Sequence, residues 1–373
     1  MHARAVRLSR AGVRVADRSH FQALTSELEQ HDLSVQPPAE QYERKRWLLD
    51  TLRPVLAKHT GGDLHVFGSC ANGFWVKGSD IDTCLMIKRC QQRASCLTKL
   101  RLVQCLVRRE KIGAVQVVPA RVPVAKILDE NSEEMGDLCV NNVAAIENTT
   151  FVATFASLDP RVPPLGRFIK HWAKLRGINE RSQGTLSTYT LILQLFYFLQ
   201  TRSHPVLPRF LQILHPDLPD DADGVNAAPA PTGSGGASAS SGLGKWTEML
   251  GELRPLPFNT DVEQILRTFT TQNDESLGEL IFKFFALFGG DCFHGGSEGR
   301  TVTVSDAGCE PNDLGVLVLK CPLTWKNVNP MTIDVWQSVH SEFRRAAELL
   351  QQGASLADLC EPVTVNPSAR THH

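Results

Sequence analysis

No stretch of this 373-residue chain is apolar for long enough to cross a bilayer, which excludes an integral helical membrane protein. Nor does either charge dominate. The 39 Lys and Arg stand against 40 Asp and Glu, so a nucleic-acid surface would have to be a local patch. No two of the ten cysteines, at positions 70, 84, 90, 96, 105, 139, 292, 309, 321 and 360, are spaced Cys-x-x-Cys. That absence argues against a zinc site and for free, mostly buried thiols in a reducing compartment. What remains, 42% hydrophobic and 21% charged residues, is ordinary for a globular chain with length enough for two cores.

One stretch organises the rest. An apolar strand, Leu64 to Phe67, turns on Gly68-Ser69, and ten residues later a second apolar strand carries Asp80 and Asp82. Alternation along a strand puts Asp80 and Asp82 on one face with Ile81 on the other. Two carboxylates on one face repel unless a cation lies between them. Hard oxygen ligands suit Mg²⁺, with Mn²⁺ as the alternative ion. Gly68 lets a backbone approach a phosphate, and Ser69 adds a hydroxyl and an N–H if it opens a helix. Alone, a Gly-Ser turn says nothing, and an Asp-x-Asp pair is usually a solvated strand edge. The combination, with a second turn at Gly78-Ser79, reads as a phosphate grip beside a metal grip.

The segments before and after supply the scaffold. Residues 38–59 repeat Tyr42, Trp47, Leu48, Leu52, Val55 and Leu56 at helical spacing and should pack under the first strand. Lys88 to Lys111 holds eight basic residues and one acid on an amphipathic helix; it is either a solvated face or an RNA-backbone contact. Short strands follow at 115–118, 122–128 and 136–140, and Asp129, Glu130, Glu133 and Glu134 read as a solvated acidic loop. From Val152 the pattern is helical. Lys170 and Lys174, at i and i+4, would repel unless an anion lay between them. Thr188 and Tyr189 stand at a hydroxyl-rich helix start, Tyr189 either facing a ligand or packing beside Leu191 and Phe196. Residues 216–244 are too poor in apolar groups to order themselves and read as a flexible insertion.

The wording Phe67-Gly68-Ser69 … Gly78-Ser79-Asp80-Ile81-Asp82 resembles the polymerase β-type nucleotidyltransferases. Within them it resembles the branch of terminal uridylyltransferases and cytoplasmic-type poly(A) polymerases. Ile169-Lys170-His171-Trp172, Arg176-Gly177-Ile178-Asn179 and residues 273–288 extend the resemblance over residues 38–345. It implies an α+β fold: a mixed-sheet catalytic domain at 46–157, a helical domain at 158–353 joined by residues 21–45, and a tail at 354–373. The nucleotide cleft would lie between the domains. It also implies that Asp137 is the third catalytic carboxylate and metal ligand beside Asp80 and Asp82. By the same resemblance Asn148, with Thr149 beside it, reads the ribose. Lys170 and Lys174 hold the triphosphate, and Tyr189, next to Thr188, stacks the base.

The implied reaction is transfer of UMP from UTP to the 3′-hydroxyl of single-stranded RNA. A poly(A) or mixed-specificity polymerase is the alternative. A transferase acting on a small molecule or protein, and a non-catalytic RNA-binding subunit, are the remaining rivals. One phrase departs from the family, since Cys321 and Thr324 occupy two positions that are usually acidic and help to recognise uracil. Finally, Arg4, Arg7, Arg10, Arg14 and Arg18 give residues 1–20 the look of a mitochondrial transit segment, or else of a basic arm touching RNA. With the short-form body, this resembles trypanosomatid mitochondrial uridylyltransferases, which would place the chain with an RNA-editing or RNA-processing complex and no membrane.

Overall fold

The computed structural model describes residues 18–88, 90, 92–210 and 258–362. Residues 1–17 of the arginine-rich leader, the insertion at 216–244 and residues 363–373 of the tail lie outside the described residues. The fold is α+β, with two hydrophobic cores.

The first core lies under a five-stranded mixed sheet. Its strands are β1 (Asp63–Phe67), β2 (Asp82–Met86), β3 (Ala114–Val118), β4 (Val124–Leu128) and β5 (Glu134–Val140), in the order β1-β2-β5-β4-β3. Only β2 and β5 run parallel. Helices α1 (Arg18–Val35), α2 (Ala39–Thr60) and α3 (Arg93–Arg109) precede or interrupt these strands. Leu48, Leu52 and Leu56 of α2 and Leu100, Val103 and Val107 of α3 pack with Leu85 and Leu138 on one face of the sheet. The basic residues of α3 fall largely on its outward side, where Arg101, Arg108 and Arg109 are exposed. Tyr42 and Trp47 share the helical spacing of α2 but are about half exposed and do not belong to this core. Their neighbours Leu48 and Leu49 are the residues that turn inward.

The second core is helical. It gathers α4 (Val143–Ala156), α5 (Val162–Leu175), α6 (Thr188–Gln200), α7 (Val262–Thr268), α8 (Leu277–Phe288) and α9 (Ile333–Gln351). A three-stranded sheet, β6 (Gly299–Thr303), β7 (Cys309–Asn312) and β8 (Leu317–Lys320) in the order β7-β6-β8, leans on it. Trp172 of α5 lies edge-on to Phe285 of α8 and Phe343 of α9, at centroid distances of 4.7 and 4.9 Å. Helix α8 begins with a capping box, Ser276 and Glu279 satisfying each other's backbone N–H. Helix α4 starts at Val143, capped by Asn142, nine residues earlier than the apolar pattern suggests.

Helix α1 belongs to the second core although it is first in the chain. Leu24 and Leu28 are fully buried there. Gly278 lets the backbones close up, since a Cβ at that position would sit 2.1 Å from the Phe21 carbonyl oxygen. Near its end, Asp32 accepts two hydrogen bonds from Arg167 of α5, at 2.6 and 3.0 Å. The same guanidinium donates at 2.6 Å to the carbonyl of Gly73, in the loop between β1 and β2. One bidentate ion pair thus joins α1, the helical core and the loop between β1 and β2.

Asp32 and Arg167 are only 15% and 11% exposed, so removing one partner strands a buried charge. Asp32→Ala is expected to cost about 3–5 kcal/mol in urea unfolding, and Asp32→Leu combined with Arg167→Met much less. Equal losses for the two variants would refute this account.

Candidate active site

The register between β2 and β5 builds the site. Asp82 is the Cα partner of Asp137, so two parallel strands place these carboxylates side by side on one face of the sheet. Further along that face lie Cys84, Met86 and Cys139, which pack with Val143 and Ile146 of α4. Helix α4 therefore covers one end of the face, beyond the aspartates. Asp80 is not in the strand as its spacing suggests. It precedes β2, exposed, on the loop that follows the Gly78-Ser79 turn. Gln41 of α2 holds that turn: its side-chain amide donates to the carbonyls of Val76 and Ser79 at 3.3 and 3.2 Å, and its oxygen accepts from Gly78 N–H at 3.0 Å.

Gly68 makes room for a carboxylate and bonds to α4. Its φ of +74° suits glycine, and a Cβ there would come within 2.2 Å of Asp82 Oδ2. Its N–H donates to Thr149 Oγ1 at 2.9 Å, and that hydroxyl donates in turn to the Ala145 carbonyl at 2.7 Å. Thr149, buried, thereby fixes the turn to α4. Ser69 opens a single 3₁₀ turn, Ser69–Ala71, at the N-terminal side of which its hydroxyl and N–H lie.

The electrostatics reflect crowding. Burial, and next the charge of Asp80, push Asp82 up to about 6. Burial, then the neighbouring Glu134 and Asp82, push Asp137 up to about 7 against the pull of Lys126. Asp137 Oδ1 is buried and has no hydrogen-bond partner, while Lys126 Nζ stands 3.8 Å away. Lys126 was not foreseen, nor was Glu134, whose carboxylate it grips at 2.7 and 2.8 Å. Glu134 belongs to β5 and is no part of a solvated loop; Asp129 is likewise paired, with Arg44 at 3.2 Å. The available signal was a lysine in the otherwise apolar Val124-Ala-Lys-Ile-Leu128, whose register partner across β4 and β5 is Asp137.

Lys170 is half-buried and donates to Ser79 Oγ at 3.3 Å. Burial and the charge of Lys174 lower its affinity for a proton, while Asp82 and Asp80 oppose that change. Lys174, one turn on, is exposed. On the other wall, Tyr189 Oη donates to Asn148 Oδ1 at 3.2 Å and lies 3.4 Å from Cys321 Sγ. Cys321 Sγ also reaches Asn148 Oδ1, at 3.6 Å. Thr188 Oγ1 donates to Asn179 Oδ1 at 3.3 Å. A second residue not singled out in the sequence, buried Asn329, accepts from Ser187 N–H and Thr190 Oγ1 and donates to the Thr185 carbonyl, pinning the 321–329 loop to the start of α6.

Among the described residues no group of three His, Cys, Asp or Glu side chains is close enough to hold a metal ion. Mg²⁺ does not need three, because one or two carboxylates with substrate phosphates suffice. Hard oxygen donors, a buried Asp137 Oδ1 that accepts no hydrogen bond, and two carboxyls raised by burial and then by neighbouring charge fit a divalent cation.

Residues 24–157 match the central palm domain of mitochondrial-like poly(A) RNA polymerases. The poly(A) RNA polymerase cid11 of Schizosaccharomyces pombe is 36% identical over 198 residues, which are 52% of this chain and 41% of that protein. Human poly(A) RNA polymerase GLD2 is 39% identical over 163 residues, 41% of this chain and 34% of that protein. The chain thus spans well under two thirds of the relatives it matches. In fold it is similar to the Cid1 poly(U) polymerase, with a TM-score of 0.71 and 24% identity over 93% of this chain and 100% of that one.

Because both acids are raised, the folded protein without metal binds more protons than the unfolded chain between about pH 4 and pH 7, and loses stability as pH rises through that window. Asp82→Asn is expected to raise the melting temperature at pH 8 by several degrees and to leave it unchanged near pH 4. Mg²⁺ should stabilise the parent protein at pH 8 and not the variant; equal Mg²⁺ shifts in thermal unfolding would remove the metal reading.

Proposed function

We infer that the chain is a polymerase β-type nucleotidyltransferase of the branch that contains terminal uridylyltransferases and poly(A) polymerases, and from that premise that it adds nucleotides to the 3′-hydroxyl of single-stranded RNA. The observation that carries this reading is the pairing of Asp82 with Asp137 in register, with Asp80 and Lys170 beside them. In the reaction the RNA 3′-oxygen forms a bond to the α-phosphorus, the bond from that phosphorus to the β-phosphate oxygen breaks, and pyrophosphate leaves. Asp80, Asp82 and Asp137 would hold Mg²⁺. The metal, when bound, acidifies the attacking hydroxyl and stabilises charge on the phosphates. Asp137, whose buried Oδ1 accepts no hydrogen bond and lies 3.8 Å from Lys126 Nζ, is the carboxylate assigned to take the hydroxyl proton. Lys170 and Lys174 supply the positive charge for the triphosphate, Tyr189 the face for the base, and Asn148 the polar contact to the ribose.

For the nucleotide, ATP is the first reading. The wall formed by Tyr189, Asn148 and Cys321 carries a thiol where an acid would help to recognise uracil, and the relatives matched by sequence are named poly(A) RNA polymerases. UTP is the second reading, favoured by the uridylyltransferase-like wording around Lys170 and Asn179. A mitochondrial address rests on the arginines of residues 1–20, and an RNA-processing partner complex on those arginines together with the short-form body; cell fractionation tests the address.

Extension of a labelled single-stranded RNA with Mg²⁺ and one nucleotide at a time decides the matter. ATP is expected to be used at least as well as UTP, and Asp82→Ala to abolish extension. Cys321→Asp is expected to move the preference toward UTP. Extension by Asp82→Ala would overturn the assigned chemistry, and strict UTP use by the parent protein would promote the second reading.

A further inference from the structure

The loop that bears Cys321 does something the base pocket does not require. It folds back on itself: Trp325 N–H donates to the Cys321 carbonyl at 2.8 Å, and Cys321 N–H donates to the Lys326 carbonyl at 2.9 Å. Lys320 and Asn327 close the turn as a bridge, and Asn329 fastens it to α6. Inside this closed turn Trp325 adopts φ +58°, a left-handed conformation that is a true outlier for so bulky a side chain and costs glycine nothing. The strain does not serve burial. Leu323 packs against the helical core, whereas Trp325 is 47% exposed and Lys326 beside it is exposed as well. An indole is held outward, at a steric cost, four residues along the chain from the thiol that touches Tyr189 and Asn148. Backbone strain that places a side chain without packing it is a mark of function.

Resting on the nucleotidyltransferase reading above, we propose that Trp325 is a stacking platform for a base at the 3′ end of the RNA, with Lys326 drawing in the adjoining phosphate. A flat aromatic face beside a cation is the combination that binds single-stranded nucleic acid with little regard to sequence. The incoming nucleotide already has an aromatic partner in Tyr189, partly buried behind Cys321. A second ring on the outer turn of the same loop is placed to serve the other substrate.

Trp325→Gly separates function from scaffold, because glycine relieves the left-handed strain while removing the ring. It is expected to raise KM for RNA about tenfold, with KM for the nucleotide and kcat within about twofold of the parent. The melting temperature should be equal to the parent's or higher. Trp325→Phe should retain most of the RNA affinity. An unchanged KM for RNA, a rise confined to the nucleotide, or a fall in melting temperature accompanied by losses toward both substrates would each overturn the proposal. Binding of a labelled single-stranded RNA, read by anisotropy in an Asp82→Ala background, tests the contact without turnover. Trp325→Gly is expected to weaken that binding about tenfold. Equal affinity would dismiss the stacking role even if the chain extends RNA, and weakened binding would support it even if the chain does not.

Discussion

The sheet forces together charges that would separate if they were free. Asp82 and Asp137 are register partners on adjacent parallel strands, so their Cα atoms stay neighbours for as long as β2 pairs with β5. Much around them manages that repulsion. Gly68 leaves room for the Asp82 carboxylate, Lys170 lends it positive charge, and Lys126 is shared between Glu134 and Asp137. Burial and neighbouring charge raise both carboxyls, so the stability of the sheet is tied to their state of protonation.

The two cores are joined where the substrates would meet. Arg167 reaches from the helical core to the loop between β1 and β2, and Lys170, one turn along the same helix, reaches Ser79 in that loop. On the opposite wall Asn148, Tyr189 and Cys321 come from three segments far apart in the chain and converge on a few ångströms. Sequence separation is large and spatial separation small, which is how a cleft between domains is lined.

Much of this was legible in the sequence, and the reasons for what was not are specific. The apolar runs of β1, β2 and α8 announce themselves because burial on a fixed period leaves a pattern. The paired aspartates and lysines announce themselves because like charges at close spacing need an explanation. What stayed hidden depends on partners that no local pattern encodes. Glu134 looked solvated because the sequence does not show that β5 begins there and meets Lys126 across the sheet. The bond between Gly68 and Thr149 spans 81 residues, a separation across which no local pattern reaches. Tyr42 and Trp47 follow a helical period but fall on its outer side, since the period does not say which of two adjacent faces turns inward. Asn329 gave no signal at all, being one asparagine among many until its three bonds are seen.

Helix α1 raises a question of timing. It is made before its partners, α5 and α8, which lie beyond the whole five-stranded sheet, and one of its bonds is made by the N–H of Leu356, which donates to Glu27 at 2.7 Å. Its apolar face, with Leu24 and Leu28, must therefore remain uncovered while the intervening chain is made. The sheet can close on α2 and α3 early, from neighbouring residues, whereas the helical core has to await nearly the entire chain. Chain order thus separates α1 from the surfaces it packs against until residues 277–288 and Leu356 have been made.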